Sequence, residues 1–77
     1  MELKEFIENF ADQFDDTPIE ELQANVEYKE LDEWSSLTAL SVIAMVDEEY
    51  GVTLVGEDIR ESNTIEDLFN RVKAKAE

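Results

Sequence analysis

Cysteine and histidine are both missing from this chain. Without Cys there is no disulfide staple and no thiolate nucleophile, and without His the side chain best matched to proton transfer near neutral pH is gone. The usual zinc ligands go with them. A Ser-His-Asp arrangement cannot be assembled from this chain alone, so any thiol or comparable reactive group must be attached from outside. Glycine occurs only as Gly51 and Gly56, which excludes a glycine-rich loop that cradles phosphate. No apolar run approaches membrane-spanning length, and Met1 leads straight into an amphipathic pattern without an apolar signal core. The expectation is a cytoplasmic chain with no membrane insertion.

Basic residues are scarce too, 6 against 21 acidic ones, for a net charge of −15. Such a surface repels nucleic acid and anionic membrane faces, and it steers partners with basic patches at a rate that falls as salt rises. The plainer function of the acids is solubility. Disorder, the other habit of acidic chains, is opposed by 43% hydrophobic residues set at helical spacing. The 77 residues make one domain, residues 1–77, near the lower size for a self-sufficient core and too small for a large enclosed pocket.

Leu3, Phe6, Ile7, Phe10 and Phe14 recur at i, i+3, i+4, i+7 and i+11, one apolar stripe on a first helix. Asp15, Asp16, Thr17 and Pro18 stop it, because Pro disfavours helical geometry in the residue before it. A long connection over residues 17–34 holds Ile19, Leu22, Val26, Tyr28 and Leu31 at irregular intervals, so it is pinned to the core at several points, with a short turn at Glu20, Glu21 and Leu22. The second helix spans residues 36–50 and is closed by Gly51, the residue expected just past a helix end. "VTLV" has no partner strand and reads as an extended linker. "GEDIRES" is a brief third helix that holds Ile59. Thr64 with Asp67 forms a capping pair for a last helix packing Ile65, Leu68, Phe69 and Val72. Arg71, Lys73 and Lys75 complement its dipole at the far end. The fold class is all-α, a small four-helix bundle of three main helices and one short one, expected to be a monomer.

Few groups here can do chemistry. "DQFDD" and "GEDIRE" lack the ordered acids, glycine bend and terminal Glu of a calcium loop. Paired carboxylates are present without a cleft to serve glycoside hydrolysis. No catalytic residue and no dedicated metal site is assigned. What is left is the serine pair in "LDEWSSLTALSVIAMVDEEYG". Serine is a favoured N-cap, and one residue suffices for that. If Ser35 caps by accepting from the amide of Leu37 or Thr38, Ser36 becomes the first helical residue. Its hydroxyl then sits in solvent at the positive helix end, where dipole and free amides favour an attached phosphate.

Along the second helix, Leu37, Leu40, Ile43 and Val46 lie on one side and are read as core. Ala44 and Met45 fall elsewhere, and one of them is available to a partner; flexible Met suits either role. Trp34 packs at the helix entrance. Asp47, Glu48 and Glu49 occupy the last turn, where negative charge opposes the dipole at roughly 0.3–1 kcal/mol per group. Stability alone would place cations there, so a basic partner is the economical reason for the acids.

"SSLTALSVIAMVDEEYGV" resembles the recognition segment of acyl carrier proteins. Ser36-Leu37 matches the family's Ser-Leu pair, Asp47-Glu48-Glu49 its acidic cluster, and Tyr50-Gly51-Val52 its aromatic-Gly-aliphatic ending. Counting back from Gly51 puts the modified serine on Ser36. The similarity extends through the first helix, the long loop, the short third helix and "TIEDL" at the opening of the last. The resemblance implies an acyl-carrier-type bundle that is not an enzyme. It implies a 4′-phosphopantetheine arm on Ser36 that holds acyl groups as thioesters. It implies docking of phosphopantetheinyl transferase and of acyl synthase or transferase components, fatty-acid or polyketide-type, through Ser35, Leu37, Leu40, Ser41, Ala44, Met45, Asp47, Glu48 and Glu49. The chain departs from the family at Ser35, where Asp is usual, and at Thr38 and Ser41, often acidic there. The Ser35 exchange is conservative as a cap and not as a charge that the transferase reads. An aminoacyl or peptidyl carrier of a specialised pathway is an alternative, as is an unmodified acidic adaptor in which both serines only start the helix.

Overall fold

In the computed structural model, which describes residues 1–76, the chain runs through helix α1 (Leu3–Ala11), 3-10 turns at Ile19–Glu21 and Tyr28–Glu30, then α2 (Ser36–Tyr50), α3 (Gly56–Glu61) and α4 (Ile65–Ala76). There is no strand among the described residues, and residues 52–55 link α2 to α3 without regular structure. The result is the small four-helix bundle expected.

The apolar stripe of α1 sends Phe6, Ile7 and Phe10 into the core. The stripe continues to Phe14, but the α-helix stops at Ala11, three residues earlier than the spacing predicts. The amides of Gln13 and Phe14 donate to the carbonyls of Phe10 and Ala11 at 3.1 and 3.0 Å, so the chain tightens from i→i−4 to i→i−3 bonding. Gln13 Nε2 also donates to the Asn9 carbonyl at 3.1 Å and satisfies one orphan acceptor. Phe14 is nonetheless buried, so the side-chain pattern outlasts the helix that generated it.

The connection from α1 to α2 is pinned as its apolar residues imply. Leu22 and Tyr28 are fully buried, whereas Val26 and Leu31 are half-buried and Ile19 stays 39% exposed. Backbone bonding fixes it further. The first four amides of a helix lack intrahelical partners, and in α4 the Ile65 and Glu66 amides donate to the Val26 and Ala24 carbonyls at 3.1 and 2.9 Å. The Asp67 amide donates to Thr64 Oγ1 at 3.1 Å, while Asp67 Oδ2 accepts from the Thr64 and Asn63 amides. These amides, with the Thr64 hydroxyl, hold the Asp67 carboxyl below its ordinary pKa. The capping pair read from the sequence is therefore formed, and it shares the start of α4 with the long loop.

The core is one cluster in which α1 contributes Phe6 and Phe10, α2 Val42, Met45 and Val46, and α4 Ile65, Leu68, Phe69 and Val72. Val52, Leu54 and Ile59 close it from the linker and α3. Phe6 sits between the rings of Phe69 and Tyr50, at centroid distances of 5.5 and 6.0 Å. Tyr50 also accepts from Asn9 Nδ2 at 2.9 Å, which links the end of α2 to α1.

With six residues, α3 is too short to persist on its own propensity. Asp58 fastens it. Its carboxylate accepts from the Val55 amide at 2.9 Å, in the manner of a helix cap, and from Arg71 Nε and Lys75 Nζ of α4 at 2.9 and 2.6 Å. Asp58 is only 2% exposed. Burial pushes its pKa up, but Lys75, the Val55 amide and Arg71 outweigh that and bring it down to about 2. On the other side, Tyr28 Oη donates toward the carbonyls of Ile59 and Ser62 at 3.1 and 3.3 Å. Ser62 Oγ donates to the Asp58 carbonyl at 2.8 Å, and Lys29 Nζ donates to that of Arg60 at 2.9 Å. Arg71 and Lys75 thus do more than complement a dipole.

Candidate functional site

The start of α2 is held by an aromatic cluster. Trp34 stacks on Phe10 at a centroid distance of 6.4 Å and an interplanar angle of 6°, and it meets Tyr28 edge-on at 4.8 Å. Trp34 therefore packs at the helix entrance as expected. The preceding residue closes the same corner. The Glu33 carboxylate accepts from Thr17 Oγ1 at 2.7 Å and from the Asp15 and Asp16 amides. The Thr17 hydroxyl, aided by these amides, holds the Glu33 carboxyl below its ordinary pKa. This tie between the end of α1 and the start of α2 is absent from the sequence reading, because nothing in the spacing of 15–17 and 33 announces it.

From that corner the chain enters α2 through Ser35 in extended conformation, with φ −154° and ψ 174°. Ser35 Oγ accepts from the Thr38 amide at 3.3 Å, and the Ser35 carbonyl accepts from Ala39 at 2.9 Å, the first helical bond. Thr38 Oγ1 lies 3.2 Å from Ser35 Oγ and donates to the Glu33 carbonyl at 3.1 Å. Ser35 is therefore the cap, and Ser36 is the first helical residue, exposed to solvent. The first turn of α2 carries no acidic residue. An anionic group on Ser36 would meet the positive helix end and the unpaired first amides without a repelling neighbour in that turn. At the other end Gly51 adopts the left-handed conformation, φ 65°, and its amide donates to the Asp47 carbonyl at 3.0 Å.

The face read as core turns out otherwise. Leu37 and Leu40 are 74% and 63% exposed, Ile43 is half-buried, and only Val46 of that group is fully buried. The inward face is instead Thr38, Val42, Met45 and Val46. Apolar residues occupy almost every position from 37 to 46, so periodicity alone could not select the face that joins the core. Met45 is consequently part of the core at 6% exposure, and Ala44 is the exposed member of that pair. Of the remaining residues proposed for docking, Ser35, Asp47, Glu48 and Glu49 are exposed and Ser41 is half-buried.

At about 100° per residue, Leu37, Leu40, Ala44, Asp47 and Glu48 share one side of α2, and Ser36 precedes Leu40 by one helical turn. The exposed side thus presents a hydroxyl, then an apolar strip, then acids that no basic residue of the last turn offsets. Among the described residues no cluster of three or more acids is arranged to hold a metal ion, and no helix is long and apolar enough to cross a membrane. No protein-family model, no curated protein and no solved structure matches the chain.

Proposed function

We propose that this chain is an acyl carrier protein, loaded on Ser36 and handed between enzymes through the exposed side of α2. The observation that carries the reading is the division of labour between the serines. Ser35 makes the cap, which leaves Ser36 exposed at a helix N-terminus suited to a phosphodiester. The arm supplies a thiol for thioester attachment, which a chain without Cys cannot supply itself. Leu37, Leu40 and Ala44 offer apolar contact beside the loaded serine, and Asp47, Glu48 and Glu49 steer basic partners. A serine acting alone needs a base to activate it, and this chain has no His to serve as one. That supports a carrier loaded by a separate transferase over an enzyme.

The test is intact mass after coexpression with a broad-specificity phosphopantetheinyl transferase. One phosphopantetheine is expected on the parent, none on Ser36→Ala, and one on Ser35→Ala. Modification that survives in Ser36→Ala refutes the assignment. A second reading, an unmodified adaptor, is favoured by Ser35 standing where the family has its acidic recognition residue. It predicts that the parent gains no mass at all.

A further inference from the structure

Away from α2, the 3-10 turn Ile19–Glu21 separates two hollows of opposite character. On one side is an open groove of about 440 Å³ between α1 and the turn. Its apolar wall is made by Leu3, Ile7, Ile19 and Ala24, and Ile19 is among the few large apolar residues left exposed. Glu8 and Glu20 stand at its edge, with Lys4 as its one cation. On the other side lies a hollow of about 540 Å³ lined by Asp16, Glu21, Glu30 and Asp32 among others, with no basic residue in its lining. Both ion pairs among the described residues belong to Asp58, so none of these acids has a cationic partner. Neither hollow includes a residue of α2.

We propose that this turn is a second docking surface, and that its occupant is a basic amphipathic segment of a partner protein. An apolar side chain of the segment seats on Leu3, Ile7 and Ile19 in the groove. Lys or Arg residues beside it reach across the turn to the acidic hollow. Each part is explained by complementarity. An exposed aliphatic wall is covered by apolar contact, and unpaired carboxylates next to it select cations over a neutral or acidic partner. A second copy of this chain is the wrong occupant, because it would bring its own −15 to the same acids. The surface is independent of the loading of Ser36, so either proposal can fail without the other.

The probe is a short synthetic helix with Leu on one face and Lys on the other, titrated at near-physiological salt and followed by amide NMR shifts and fluorescence anisotropy. A control probe keeps every Lys and replaces each Leu by Ser. Expected shifts fall on residues 3–8 and 16–24, and the control probe binds roughly tenfold more weakly. Ile19→Ser should weaken the Leu/Lys probe about threefold or more, the scale of one partly exposed aliphatic contact. Leu40→Ser, on the exposed side of α2, should weaken it less than Ile19→Ser does. Charge reversal at Glu20 and Glu21, which spares the apolar wall, should weaken it more than reversal at Glu48 and Glu49. Shifts centred on α2 overturn the proposal, as does equal binding of both probes or indifference to Ile19→Ser. Dimerisation of the free chain that is lost in Ile19→Ser overturns it in favour of self-association.

Discussion

Replacing Asp58 by Asn tests whether one carboxylate fastens α3 to the bundle. The exchange keeps the shape, and the amide oxygen can still accept from Val55, so the loss is confined to the charged bonds with Arg71 and Lys75. Displacement of the carboxyl from its ordinary 3.8 to about 2 corresponds to about 2 kcal/mol of stabilisation at neutral pH. A fully buried pair would cost about 3–5 kcal/mol to break. Here the Arg71 and Lys75 side chains are each 38% exposed and can rehydrate, so the lower figure is the appropriate one. In a domain of this size about 2 kcal/mol is roughly 10 °C in Tm and a large share of the whole stability.

The pH dependence gives the sign. A depressed folded pKa means stability that is fully present above the unfolded value near 4 and lost as pH falls toward about 2. Urea unfolding followed by far-UV circular dichroism should therefore show Asn about 2 kcal/mol below the parent at pH 7. The gap should shrink steadily below about pH 4. An Asn variant within about 0.5 kcal/mol of the parent at pH 7 would refute the fastening, since that is the scale of an ordinary surface substitution. A penalty unchanged at pH 2 would assign the loss to packing rather than charge.

Local signals explain what the sequence made legible. Ser35, Gly51 and the Thr64–Asp67 pair act within one helical turn of themselves, so residue type and spacing were enough to predict the ends of α2 and the start of α4. The end of α1 was not legible, because Phe14 belongs to the stripe by spacing while its backbone has already tightened into i→i−3 bonding. The exposure of Ser36 at the head of α2 was legible, but the orientation of its apolar neighbours was not. A helix apolar on nearly every side has no preferred inner face until its partners are placed, and Leu37 and Leu40 were misread for that reason. Asp58 left a usable trace. An acid at the third position of a short helix, with Arg71 and Lys75 one turn apart on the next helix, is a pattern for a carboxylate held by two cations.

Tyr28→Phe should cost about 1–2 kcal/mol, since two buried carbonyls lose their phenolic donor. Burial raises the Tyr28 pKa to about 12, so stability present below the unfolded value near 10 is lost as pH rises toward 12. Melting between pH 8 and 11 should lose most of that alkaline slope in the Phe variant, leaving what Tyr50, also raised by burial, contributes. Added salt or millimolar magnesium should raise Tm by relieving self-repulsion at −15, and a Tm indifferent to both would mean the acids are already compensated. The last prediction separates docking from solubility on α2. Glu48 and Glu49 are exposed in the last turn of α2, where no basic residue offsets the dipole, so replacing both by Gln should leave stability equal or slightly higher. The same change should slow association with a basic partner enzyme and flatten its salt dependence, read by stopped-flow fluorescence. Glu57 and Glu61 on α3, exposed and outside both hollows, remove equal charge elsewhere, and if both double variants slow association alike, net charge alone steers and the α2 docking face is wrong.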